Sequence, residues 1–80
     1  MFLHVEDAKY IQDYQLQLRF SNDEIKNVDL KSELYGEIFE PLKDIDFFQD
    51  FFISHNTIEW KNGADFAPEF LFEIGRKEGD

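Results

Sequence analysis

Apolar and polar side chains alternate without a break from Tyr14 to Phe20, with Tyr14, Leu16, Leu18 and Phe20 on one face and Gln15, Gln17 and Arg19 on the other. A period of two over seven residues predicts a half-buried strand. Ser21-Asn22-Asp23 supplies turn formers, and Glu24 to Leu30 predicts the returning strand, with Val28 and Leu30 in phase and Ile25 out of it. A bulge, or partial cover on the second face, would accommodate Ile25. Upstream, Phe2 to about Tyr10 is apolar enough for a first strand whose phase breaks near Asp7-Ala8, and Tyr10 to Tyr14 connects the two.

The pattern then changes. Ser32 to Leu42 has no period; Gly36 permits a backbone turn, and Pro41 disfavours helix at Glu40. Asp44 to Phe52 places Ile45, Phe48 and Phe52 at helical spacing behind Asp44 as a cap, although Phe51-Phe52-Ile53 suits a strand equally well. Ser54-His55-Asn56 predicts a turn and Thr57 to Trp60 a last strand, with Ile58 and Trp60 flanking Glu59.

Trp60-Lys61-Asn62-Gly63-Ala64-Asp65-Phe66-Ala67-Pro68-Glu69 packs a strand end, a forced turn and a helix start into one block. Asn62 and Gly63 tolerate positive φ, Pro68 suits the first helical position, and Asp65 and Glu69 favour the positive end of the helix dipole. Phe70, Leu71 and Ile74 form the apolar stripe of this helix, Gly75 ends it, Arg76-Lys77 sit at its negative end, and residues 76–80 read as a frayed tail. The elements add up to one small α+β domain over residues 1–80, an antiparallel sheet of four or five strands with two short helices packed on one face.

Composition narrows the function classes. Eighty residues lie at the small end of what folds without disulfides or metal, and 18% aromatic residues, including ten Phe, compensate with large buried side chains. The absence of cysteine excludes disulfide stapling, thiolate catalysis and cysteine-zinc clusters. Met1-Phe2-Leu3, followed at once by His4, Glu6 and Asp7, starts no signal peptide, and no apolar run reaches the roughly 18 residues of a membrane span. The expectation is a soluble cytoplasmic protein. A net charge of −10 opposes nucleic-acid binding and would instead steer a basic protein toward this surface, although acidity also keeps a Phe-rich domain soluble.

No catalytic motif accompanies the turn block. His4 and His55 form no His-x-x-x-His zinc pair, no Gly-x-Ser-x-Gly elbow supports a triad built on His55 with Ser54 or Ser32, and the four glycines make no phosphate-binding loop. Asp44, Asp46 and Asp50 lack the alternation and glycine of a calcium loop and read as solvated surface plus a cap. No metal, cofactor or catalytic residue is therefore assigned. The cluster Asn62, Gly63 and Asp65 beside Trp60 could hold a small ligand, or be structural, with Gly63 supplying the turn, Asn62 bonding to backbone and Asp65 capping the helix. Phe47, Phe48, Phe51 and Phe52 exceed what one face of a short helix can bury, so at least one ring should be partly exposed or reach a partner.

Phe20-Ser21 with Val28-Asp29-Leu30, then Phe39 to Asp44, then the Trp60 to Glu69 block resemble the bacterial family catalogued as domain of unknown function 2442, in the right order over residues 3–74. Asn22-Asp23 replaces a frequent Asp-Gly, and Lys61 a frequent proline. The family it resembles has no established enzymatic activity, so the resemblance carries over no catalytic residues. It implies a context in which such proteins are encoded beside a second small protein, as in toxin–antitoxin pairs; some relatives carry a helix-turn-helix, for which this chain has no room. The reading is a non-catalytic interaction domain, antitoxin-like or accessory to a small basic protein encoded nearby. Asp44, Asp46, Asp50, Glu37 and Glu40 would attract that protein, and Phe47 and Phe51 would supply contact. A ligand-binding or enzymatic domain centred on Trp60, Asn62 and Asp65 is the alternative. A homo-oligomeric module pairing through a strand edge or the Phe helix is the third.

Overall fold

The computed structural model describes residues 3–77. Three consecutive antiparallel strands, β1 (Val5–Gln12), β2 (Gln15–Phe20) and β3 (Ile25–Asp29), are joined by tight turns and completed by a two-residue β6 (Arg76–Lys77) on the free edge of β3. A separate hairpin of β4 (Phe51–Ser54) and β5 (Thr57–Trp60) packs over one face of this sheet together with α1 (Ile45–Phe48) and α2 (Pro68–Ile74). The class is α+β, but the strands divide four and two instead of forming one sheet. No helix among the described residues is long and apolar enough to cross a membrane.

The alternation in β2 sets the inward face: Leu16, Leu18 and Phe20 are fully buried, and the register Leu16↔Val28 and Leu18↔Lys26 carries that face into β3. Ile25 lies opposite Arg19 on the outer face at 39% exposure, so neither a bulge nor a cover is needed. The broken phase in β1 is a register shift between Val5 and Asp7. That strand also runs two residues beyond Tyr10, because Asp13 at φ 48° closes a tight turn where a longer connection was expected. Phe2 lies outside the described residues.

Lys26 occupies an inward position in β3 without breaking the core. Its ammonium donates to the Phe72 carbonyl at 2.9 Å and stands 3.5 Å from the Phe72 ring centroid, so β3 caps the negative end of α2 with a cation. Arg76 and Lys77, expected to serve that end as a frayed tail, instead form β6 against Asn27 and Lys26; residues 78–80 of that expected tail lie outside the described residues. Gly75 ends α2 at φ −71°, not in the left-handed region. It is small because a Cβ there would stand 3.0 Å from both the Leu71 carbonyl oxygen and Lys26 Cβ.

Two helical expectations change. The helix from Asp44 stops at Phe48, one turn long, because Phe51-Phe52-Ile53 goes to the hairpin. Asp44 does cap it, accepting from the Asp46 N–H at 3.0 Å. The stretch before it holds 3₁₀ turns at Lys31–Glu33 and Glu40–Lys43, the latter with Pro41 in its first turn, where no N–H is needed. The Trp60 indole N–H donates to the Phe48 carbonyl at 2.9 Å and so ties the end of α1 to β5. The Trp60 ring lies among Phe48, Phe51 and Phe66. Trp60→Phe keeps an aromatic ring there but orphans a buried carbonyl, and it is expected to lower the unfolding free energy by about 1–3 kcal/mol in urea titration without loss of the native circular dichroism spectrum.

Candidate functional site

Two regions compete, and the turn block comes first. Trp60 and Ala64 close the turn, the Trp60 N–H donating to Ala64 O at 2.9 Å and the Gly63 N–H to Trp60 O at 2.9 Å. Gly63 sits at φ +91°, where only glycine is unstrained. Both ends of the Asn62 amide are used: its Nδ2 donates to Ile38 O at 2.9 Å, and its Oδ1 accepts from Ala64 N at 3.1 Å. Asn62 thereby pins the irregular loop before α1 to the turn after β5. Trp60 is fully buried with its N–H satisfied.

Asp65 does not cap α2. The N-cap is Ala67, without a side-chain bond, and Pro68 takes the first helical position. Asp65 is instead exposed and forms an isolated bridge with Glu59, adding a third backbone alongside β5. The adjacent Thr57 hydroxyl donates to Phe66 O at 2.6 Å, so one residue past Asp65 the same segment is held to β5 again. The polar groups of Trp60, Asn62 and Gly63 are thus all turned to backbone.

The second region is the lip formed by α1 and β4. Asp44, Asp46 and Asp50 are all exposed along it. Phe48 is fully buried against Tyr10, Tyr14 and Trp60, and Tyr14 also donates its hydroxyl to the Lys43 carbonyl. Phe47 and Phe51 are half-buried, whereas Phe52 and Ile53 are 43% and 42% exposed. The excess apolar surface expected of this cluster therefore lies one residue beyond the pair Phe47 and Phe51. Treating Phe51 to Ser54 as a strand ahead of the Asn56 turn would have found it, since strand parity puts Phe52 opposite Phe51.

Lys61 lies on the same lip. Its Nζ is 3.8 Å from Asp50 Oδ2 and 5.3 Å from the Phe47 ring centroid, so the site already holds one ammonium between an acid and an aromatic. Both partners of the ion pair are more than two-thirds exposed, at 68% and 69%, so the contact is easily exchanged. Glu37 and Glu40 are exposed on the preceding loop, where Glu40 pairs with Lys43. His4 and His55 stand apart: the His4 backbone N–H meets Ser21 Oγ, while the His55 ring meets Ser54 and Glu59. Among the described residues no three His, Asp or Glu side chains converge to hold a metal ion.

A surface cleft lies elsewhere. About 530 Å³ in volume, it lies where β6 stops and the edge of β3 is uncovered, lined by Asn27, Asp29, Glu33, Ile74 and Arg76 among others. Asn27 Oδ1 is buried there without a hydrogen-bond partner.

These features define a small, acidic α+β domain whose conspicuous turn is built for structure and whose open surface is aromatic and acidic. The family model described as "Protein of unknown function (DUF2442)" matches residues 5–77, and the chain belongs to that family. No curated protein and no solved structure matches it.

The turn block yields a contrast. Asn62→Ala is expected to cost about 1–2 kcal/mol because it strands the Ala64 N–H and the Ile38 carbonyl. Asp65→Ala, which removes neither a cap nor a buried contact, should stay within about 0.5 kcal/mol of the parent. Urea titrations of the two variants side by side check both values, and a larger loss for Asp65→Ala would restore its capping role.

Proposed function

We propose that this chain is a non-catalytic interaction domain that binds a small basic protein through the lip of α1 and β4, in an antitoxin-like or accessory role. The observation that carries the reading is the exposure, above two-fifths each, of Phe52 on one face of β4 and Ile53 on the other, just after the exposed carboxylates of Asp46 and Asp50 in the chain. Exposed apolar surface rimmed by charge is the signature of a protein contact. The excess of 18 acidic over 8 basic side chains sets the sign of the partner.

The division of labour follows from the physics. The carboxylates of Asp44, Asp46 and Asp50, with the overall charge, raise the encounter rate and make it salt-dependent; burial of Phe52 and Ile53, flanked by Phe47 and Phe51, sets the lifetime of the complex. Masking a basic surface in this way needs no chemistry from the domain.

The test is affinity capture at low salt from the native host, followed by reconstitution with the purified, mass-identified partner. Asp46→Lys combined with Asp50→Lys should weaken the reconstituted complex at least about tenfold, mainly through the association rate, with unfolding free energy unchanged. A complex indifferent to both substitutions and to salt contradicts the reading.

A further inference from the structure

Among the described residues, strand β4 has one hydrogen-bonded neighbour. On its β5 side the register is Phe51↔Trp60, Phe52↔Glu59, Ile53↔Ile58 and Ser54↔Thr57. The Trp60 N–H turns away from β4 to Ala64 O, so Phe51↔Trp60 is a non-hydrogen-bonded pair, and by the alternation of an antiparallel ladder so is Ile53↔Ile58. The N–H and C=O groups of Phe51 and Ile53 therefore point to the far edge of β4, and among the described residues none bonds to them there. Near the turn, Val5 N–H meets Asn56 O, which leaves the run Phe51 to Ile53 as the open part of the edge.

The other long edge is guarded. Strand β1 carries a register shift between Val5 and Asp7 and exposed Glu6, Asp7 and Lys9, and the Asp7 carboxylate takes the Ala8 N–H at 3.0 Å. These are devices that stop strands from adding. Strand β4 has none of them: its open run is Phe-Phe-Ile, without proline, lysine or bulge.

We infer that β4 accepts an extended segment of the partner as a third strand of the β4–β5 sheet, with cationic and apolar side chains alternating along it. This rests on the interaction reading above and specifies its mode. Phe52 shares the outer face with Glu59, and in the continuing register Asp50 lies on that face opposite Lys61. Every second side chain of an added strand would run along Asp50 and Phe52, where Lys61 already shows the site's taste for an ammonium. The intervening side chains would lie beside Phe51 and Ile53 at the rim of the core and should be apolar. A second copy presenting the same edge would bring two chains of net charge −10 together, acid against acid.

The probe is the end-blocked peptide Lys-Val-Lys-Val-Lys-Val-Lys, added to the intact protein at low salt and followed by calorimetry and residue-resolved amide exchange. Binding is expected, with exchange at Phe51 and Ile53 slowed at least about tenfold. Because only alternate N–H groups of an added strand face β4, methylating either all Lys or all Val nitrogens should weaken binding roughly tenfold for one set and much less for the other. Asp50→Asn should weaken it about threefold, and Ile53→Pro, which removes an outward N–H but no β4–β5 ladder bond, by more. Binding that is indifferent to both methylations and leaves Phe51 and Ile53 exchanging as before overturns strand addition while the basic-partner reading stands. So does absence of binding in the millimolar range. Protection of the two amides that rises with protein concentration, without peptide, also overturns it by assigning the edge to a second copy.

Discussion

Trp60 is where the parts of this domain meet. Its indole N–H holds the last carbonyl of α1, its ring separates Phe48, Phe51 and Phe66, and its backbone closes the turn at Asn62-Gly63. A four-residue helix has too few internal hydrogen bonds to persist alone. It persists here because Asp44 caps one end and Trp60 holds the other. With the Tyr14 hydroxyl on the Lys43 carbonyl and the Val5 N–H on Asn56 O, that bond fixes α1 and the hairpin against the four-stranded sheet. In an 80-residue chain, which buries only about 60% of its unfolded surface, one such junction is a large share of the net stability.

The position of the lip follows from this junction. Because Trp60 pairs with Phe51 and spends its own N–H on the turn, β5 is occupied on both sides and β4 on one. The open edge is thus a consequence of how the backbone groups of the turn are satisfied, not of a loose segment. Phe52 and Ile53 are exposed on an edge that is fixed from behind, which is what a preorganised contact surface requires. The carboxylates around it belong to α1 and the residues just after it, so the same tryptophan that anchors the helix also positions the charge.

Much of the fold could be read from period and turn chemistry. The alternation in β2, the Ser21 to Asp23 turn and the Asn62-Gly63 turn before Pro68 are local, and local rules decide them. What could not be read depended on distant contacts. The helix from Asp44 stops early because a strand partner nine residues further on, Trp60, claims Phe51, and residues 76 and 77 pair because β3 offers them an edge. Lys26 falls in phase with the inward Val28 and Leu30, and the carbonyl end of α2 explains how a lysine occupies that position. Asp65 lost its expected capping role because Glu59 holds its backbone as a bridge before the chain turns into α2. At the lip, the acidic residues and the surplus of Phe were legible, whereas which rings remain exposed depended on whether Phe51 to Ile53 is helix or strand.

The most direct test is native-state hydrogen exchange on the free, dilute protein, read at the Trp60 indole and along β4. The account predicts that the Trp60 indole N–H exchanges only through global unfolding, among the slowest protons in the molecule, while the Phe51 and Ile53 amides exchange far faster than their neighbours Phe52 and Ser54. An indole proton that exchanges on the timescale of the loops, or uniform protection from Phe51 to Ser54, would contradict it.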